Sequence, residues 1–261
     1  MNKALLLAAG FTLLTSPAFG QGSPRPADAG DQVSTPYNPA INPADFTHVI
    51  SNKYYTLNPG MKAGYEQKTL KGITRTRIEV TGETKTVMGV TTLVVRDRKW
   101  LNGQLVEDTR DWVAQDKDGN VWYFGEAVDY YKDGKLVNHD GSWEAGVDGA
   151  KPGILMLNNP KPGATYRQEY YPSGKVEDMG TVVAVGISVR LPQGPFFQNC
   201  VHIREWNPLK KDYIEHKYHC VGVGTIALKI QGAERLKLVT FSKGLPRMDP
   251  NIGKGDRRAA Y

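Results

Sequence analysis

Two sets of side chains in this sequence have types and spacings that could do chemistry. The first is Cys200 and Cys220, the only two cysteines in 261 residues. The strand-like stretches 197–206 and 213–221 flank Asn207-Pro208-Leu209-Lys210-Lys211-Asp212, so a hairpin centred on Lys210 sets Cys200 opposite Cys220. Directly opposed residues of a non-hydrogen-bonded antiparallel pair lie roughly 4.5 Å apart at Cα, within reach of a disulfide. Closing a loop of about 20 residues would stabilise the fold by roughly 3 kcal/mol. His202, His216 and His219 stand beside the cysteines and offer a metal reading. On the hairpin register His202 and His216 share the cysteine face, while His219 points the other way. Tetrahedral zinc sites draw on Cys-x₂₋₄-Cys or His-x₃₋₅-His pairs, and neither spacing is present. A disulfide is therefore expected, with no metal and no cofactor.

The second set lies in 112–153, where Trp112, Trp122, Tyr123, Phe124, Tyr130, Tyr131 and Trp143 crowd beside Glu126, Glu144 and Asp148. Trp122 and Phe124 alternate onto one strand face, as core aromatics do. Aromatics beside carboxylates also make binding surfaces, and Trp122, Phe124, Glu126, Trp143 and Glu144 are the candidate ligand-binding residues. A third reading pairs Glu126 with Glu144 or Asp148 as the acid and base of a carbohydrate hydrolase, which needs both carboxyls in one cleft roughly 5 to 9.5 Å apart. No catalytic residue is assigned, because the sequence contains no Gly-x-Ser-x-Gly, His-Glu-x-x-His, P-loop or Gly-x-Gly-x-x-Gly signature. Asp116-Lys117-Asp118-Gly119-Asn120 begins like a calcium loop but lacks the acids required at its first and twelfth positions, and reads as a hairpin turn.

The elements that must carry these residues are strands. Arg77-Ile78-Glu79-Val80 and Thr225-Ile226-Ala227-Leu228-Lys229-Ile230 alternate with period two, and 91–95 and 181–185 are β-branched runs. Asp118-Gly119, Asp133-Gly134, Asp140-Gly141, Asp148-Gly149 and Gly232-Ala233 punctuate them as tight turns. The fold class is mostly β, an antiparallel sheet or incomplete barrel with one short N-terminal helix. That helix is expected over 43–50, because Asn42-Pro43-Ala44-Asp45 combines an N-cap, a proline and an early acid.

The chain also reads as two similar halves. Pro59-Gly60 and Tyr65 are echoed by Pro162-Gly163 and Tyr166. Then 78–87, 89–98 and 112–119 are echoed by 181–189, 194–205 and 218–224, at an offset drifting between about 101 and 108. The repeat is placed at 57–126 and 160–241 within a β domain over 45–241.

Lys3, the apolar stretch 4–14 and Ala18-Phe19-Gly20 make residues 1–20 a signal peptide, followed by a Pro-rich linker over 21–44. Without residues 1–20 the net charge is +5, of which +3 falls in the basic tail 242–261. No dense basic stripe or recognition motif supports nucleic-acid binding, and no apolar run after residue 20 reaches a transmembrane length. The expected location is the periplasm or the exterior, where two cysteines pair.

The strings Gln115-Asp116-Lys117-Asp118-Gly119-Asn120-Val121-Trp122-Tyr123-Phe124-Gly125-Glu126 and Gly141-Ser142-Trp143-Glu144-Ala145-Gly146-Val147-Asp148-Gly149-Ala150-Lys151-Pro152-Gly153-Ile154 resemble a family of uncharacterised exported bacterial proteins over about 57–239. At the level of fold the β pattern is similar to the periplasmic lipoprotein carriers of the LolA type, in which a curved sheet shields an acyl chain. The export signal, the duplicated β pattern and the aromatic density point to an exported, non-enzymatic binding module whose concave face takes an apolar or lipid ligand. The alternative is a structural or protein-interaction module of the cell envelope that captures a partner strand on a free sheet edge.

Overall fold

The computed structural model describes residues 37–174, 176–191, 194–224, 226–232 and 234–244. The expected signal peptide, the linker up to residue 36 and the tail beyond residue 244 lie outside the described residues. The rest is antiparallel β structure: β1 (Phe46–Thr47), β2 (Lys62–Thr69), β3 (Gly72–Val87), β4 (Val90–Leu101), β5 (Gln104–Asp116), β6 (Val121–Lys132), β7 (Lys135–Asn138), β8 (Trp143–Glu144), β9 (Lys151–Met156), β10 (Thr165–Arg167), β11 (Glu169–Tyr170), β12 (Met179–Arg190), β13 (Phe196–Asn207), β14 (Lys210–Cys220), β15 (Ile226–Gln231) and β16 (Glu234–Ser242). Asp118-Gly119, Asp133-Gly134 and Asp148-Gly149 sit in turns, each glycine at positive φ.

The strands follow the order β10-β12-β13-β14-β15-β16-β2-β3-β4-β5-β6-β9-β11. The two ends of that path, β10 and β11, are consecutive in the chain and separated only by Gln168. The path therefore bends back on itself. β10 pairs with β12 and β11 with β9, and the amides of Gln168 and Glu169 both donate to the Asp178 carbonyl, at 2.8 and 3.2 Å. At Gly153 of β9 the Arg167–Gln168 backbone occupies the space a Cβ would take, so only glycine permits this approach. The result is a nearly closed ring.

Two similar halves build it. Gly60 N donates to Val80 O at 2.8 Å, and Val80 N to Met61 O at 3.0 Å. Gly163 N donates to Val182 O at 2.8 Å, and Val182 N to Ala164 O at 2.9 Å. From these matched anchors β2-β3-β4-β5-β6 corresponds to β10-β12-β13-β14-β15. Ala63, paired with Ile78, is then the counterpart of Tyr166, paired with Gly180. The Tyr65 and Tyr166 echo is two residues out of step.

The helix expected over 43–50 is a single 3₁₀ turn, Pro43–Asp45, with the Asn42 side chain accepting from the Ala44 amide at 3.3 Å. Helix stops there because β1 pairs Phe46 with Asp116 and Thr47 with Gln115. The Phe46 ring packs edge-on against Trp122 and Phe124, with centroids 5.9 and 5.4 Å away. Tertiary packing overrides the capping signal. Upstream, the Tyr37 hydroxyl donates to Pro152 O at 2.9 Å, so this stretch lies against β9. Residues 48–61 then cap one end of the ring. Asn52 reaches the β5–β6 turn through Gly119 O at 2.9 Å, and Ile50, Tyr54, Leu57 and Met61 join the buried apolar cluster of that end.

The β13–β14 hairpin has the expected register, with Cys200 opposite Cys220 and Val201 opposite His219. The cysteines form a disulfide with Cα atoms 4.0 Å apart, packed among Val189, Leu191, Val223 and Leu228. Removing it as the double variant Cys200→Ser/Cys220→Ser should cost roughly 3 kcal/mol. At roughly 2–4 °C per kcal/mol for a domain this size, the melting temperature should fall by about 6–12 °C. An unchanged melting temperature would show that the hairpin is held by its ladder alone.

Candidate functional site

Alternation sends every second residue of each strand into the ring, and the inward rows of the two halves can be read across the pairings. In the first half Val80, Val95, Asp111 and Glu126 form one row. Its counterpart in the second half is Val182, Ile203, Lys217 and Lys229. The next row is Ile78, Asp97, Thr109 and Val128 in the first half, and Gly180, Glu205 and Glu215 in the second. The apolar positions are kept, whereas Asp111 and Glu126 are matched by two lysines. The interior is therefore charged rather than the apolar concave face expected, because charged pairs have taken central inward positions.

The lysines are engaged within their own half. Lys217 pairs with Glu205 and lies 3.9 Å from Glu215, and Lys229 lies 3.1 Å from Glu215. Among the described residues no ion pair of 4.0 Å or less reaches Asp97, Asp111, Glu126 or Glu169. Burial pushes Asp97 up to about 7, with Asp111 adding to the rise and Lys99, then more weakly Lys229, opposing it. Burial and then Asp111 push Glu126 up to about 8. Burial also raises Asp111, against the hydrogen bond from Tyr123. Glu169 stands well above the carboxylate range through burial and the nearby Glu126. The Tyr123 hydroxyl donates to Asp111 Oδ1 at 2.5 Å. The Tyr123 hydroxyl also lies close enough to Glu126 to oppose part of its rise.

These side chains are held deep in the ring, yet Asp97, Asp111, Glu126, Glu169, Lys217 and Lys229 are only half-buried. Space for water remains between the two walls. A ring of about eight strands is just wide enough for side chains to fill it, and this one has more. Asp97 Oδ1 and the hydroxyls of Thr76 and Thr109, with both threonines buried, have no hydrogen-bond partner. Leaving these buried atoms without partners is a cost that the inner wall carries.

A β-bulge aims the site. Val113 pairs with Tyr123 but Trp112 pairs with Gly125, so Phe124 is the extra residue. The shift turns Tyr123 and Glu126 inward together and leaves Phe124 on the outer side, fully buried under Phe46. Gly125 has φ +132°, and the Trp143 carbonyl and Trp112 ring fill the space of a Cβ there. No other residue fits.

The five sequence-predicted site residues are divided by this geometry. Glu126 and Trp143 are directly paired and share a face, and Trp143 packs edge-on to Tyr123 at 5.3 Å. Glu144 pairs with Gly125 and so points to the opposite face. There it meets Lys85 at 2.7 Å, whose Nζ lies 3.6 Å from the centroid of the Trp112 ring. Trp122 is half-buried, donating from Nε1 to Asp116 Oδ2 at 2.7 Å. Asp148 is exposed in a turn. Glu126 and Glu144 therefore do not meet in one cleft, and the carboxyl beside Glu126 is Asp111. At the cysteine hairpin His202 Nε2 and His216 Nδ1 lie 2.8 Å apart, while His219 points inward to Tyr55 at 5.6 Å. Among the described residues no group of three or more His, Cys, Asp or Glu is placed to hold a metal ion.

No family model matches the chain, and no curated protein matches it. One solved structure, described as a "putative lipoprotein" from Parabacteroides distasonis ATCC 8503, is 11% identical, with a TM-score of 0.36 over 72% of this chain and 98% of that one. No helix among the described residues is long and apolar enough to cross a membrane.

Nothing in the sequence marks Asp97, Asp111 or Glu169, and Tyr123 stands there only as one of the aromatics of 112–153. A regular hairpin about Asp118-Gly119 would place Glu126 opposite Arg110, on the other face; the bulge at Gly125 reverses that. A carboxyl whose folded pKa is raised stabilises the fold at low pH, and that contribution is lost as pH rises toward the folded value. With an unfolded value near 4.3, Glu126→Gln should therefore melt with wild type at about pH 4 and at least about 3 °C higher at pH 8, the equivalent of roughly 1 kcal/mol. Taking the difference between the two proteins cancels the opposing titrations of His202 and His219, both held below the usual histidine range by burial. Equal melting temperatures at pH 8 would place Glu126 in ordinary solvent.

Proposed function

We propose that this chain is an exported binding module whose site is the interior of the ring, and that its ligand is a small cation, an amine or polyamine, rather than an acyl chain. The observation that carries this is the group Asp97, Asp111, Glu126 and Glu169, four inward carboxyls without an ion-pair partner on a half-buried wall. Buried carboxyls in that number are costly when ionised, and a cation between them converts the cost into attraction. Tyr55, Tyr123 and Tyr166 supply faces and hydroxyls around the same space.

Residues 48–61 cap one end, so entry is assigned to the other, where Gln67, Lys99, Glu107 and Tyr130 stand. The Lys99–Glu107 pair at 2.6 Å, with side chains 39% and 21% exposed, sits at that mouth. Export is supported by the closed Cys200–Cys220 disulfide, since such bonds persist in oxidising compartments.

Calorimetry at pH 8 with 1,4-diaminobutane, spermidine, 1,4-butanediol and a long-chain fatty acid tests the assignment. The two amines should bind, the diol and fatty acid should not, and Glu126→Gln should weaken the amines at least tenfold. Fatty-acid binding without amine binding would return the site to the carrier class. No binding of either amine would refute it.

A further inference from the structure

The outward face of β16, β2, β3 and β4 carries a second feature, built from different residues. Its cross-strand rows are Thr240–Gly64–Arg77–Arg98 and Lys237–Glu66–Arg75–Trp100, with Lys62–Glu79–Arg96 beside them. The register between β16 and β2 slips between Leu238 and Thr240, so Val239 bulges. Gly64 lies opposite Thr240, whose hydroxyl fills the space that a Cβ would take there. An open groove of about 560 Å³ results, lined by Lys62, Gly64, Arg75, Arg77, Trp100 and Thr240 among others. That volume suits one or two ring-sized groups.

Its charge is unbalanced. Glu79 serves three cations at once, with Lys62 at 3.2 Å, Arg98 at 3.3 Å and Arg77 at 3.6 Å. Arg75 has Glu66 at 3.4 Å. Four cations therefore face two carboxylates, and the side chains of Lys62, Arg75 and Arg77 are 46%, 61% and 44% exposed. Some burial would raise the Glu79 carboxyl, yet Lys62, Arg77 and Arg98 hold it below its ordinary value. The indole of Trp100 supplies a flat wall beside these cations, with the Arg98 guanidinium 5.6 Å from its ring.

We propose that this groove binds an anionic saccharide, one whose sugar ring lies against Trp100, beside the Thr240 side chain, while its carboxylate or sulfate meets Arg75 and Arg77. A simple anion would use a single arginine and leave the indole unused. A ring that carries a charge uses both, and arginine's planar fork suits a carboxylate or sulfate edge. The groove faces away from the interior, so its ligand and the interior ligand need not compete.

The test uses the full mature chain with its disulfide intact, and a hexamer of galacturonic acid as probe, followed by calorimetry at low salt. Sub-millimolar binding is expected, absent for the neutral maltohexaose and weakening as salt is raised. Trp100→Ala and the double variant Arg75→Gln/Arg77→Gln should each weaken it at least tenfold, whereas Glu126→Gln should leave it unchanged. If Trp100→Ala fails to fold, the arginine variant alone decides. Equal binding of the neutral hexamer, binding untouched by either groove variant, or tighter binding of a single-stranded oligonucleotide of the same charge would each overturn the proposal.

Discussion

Asp111 and Glu126 lie directly opposite one another on the inner wall of the ring, and burying two carboxyls side by side is the demand that the surrounding structure meets. Left in an apolar interior, both would have to be neutral or one would be expelled. Here Tyr123 donates to Asp111, space for water remains between the walls, and Lys217 and Lys229 stand at the matching positions of the facing half. Gly125 makes this possible, because its positive φ turns Tyr123 and Glu126 inward within three residues. Trp143 shares the face of Glu126 and packs edge-on against Tyr123.

The two halves show how one scaffold carries two chemistries. Val80 and Val182, and Val95 and Ile203, hold equivalent apolar places at the capped end. One step along the same row, acids in the first half face lysines in the second. The second half neutralises itself through Lys217, Lys229, Glu205 and Glu215. The first half does not, and keeps a surplus of carboxyls pointing at shared space. That asymmetry makes the β4–β5–β6 wall the more acidic side of the interior. The outward face of β2, β3 and β4 has the opposite bias, with arginines in excess. A single sheet thus presents acid inside and base outside, which the near-neutral net charge of the body conceals.

What was legible in the sequence is what regular alternation controls. Cys200 and Cys220 could be paired by counting from Lys210, because β13 and β14 run without irregularity from Cys200 to Trp206. The β class and the two halves followed from period-two patterning and repeated Pro-Gly turns. Of the five candidate residues, Glu126 and Trp143 are directly paired on the inward face, while Glu144 points to the other. A one-residue bulge changes the face of everything beyond it, and no residue type announces a bulge except a glycine that could equally be a turn. The helix at 43–50 failed for a related reason: Asn42 does cap a turn, but Phe46 gains more from Trp122 and Phe124 than from continuing it. The opposition of acids to lysines stayed hidden because the offset between halves changes from 106 for Asp111 and Lys217 to 103 for Glu126 and Lys229.

Carbon-13 carboxyl NMR, with Glu126 assigned through the Glu126→Gln variant, tests most directly whether the interior is an acidic site awaiting a cation. The free protein should show the Glu126 carboxyl titrating near 8, and saturation with spermidine should move that midpoint down by at least one unit. A midpoint near the ordinary glutamate value of about 4.3, unmoved by the amine, would contradict the account.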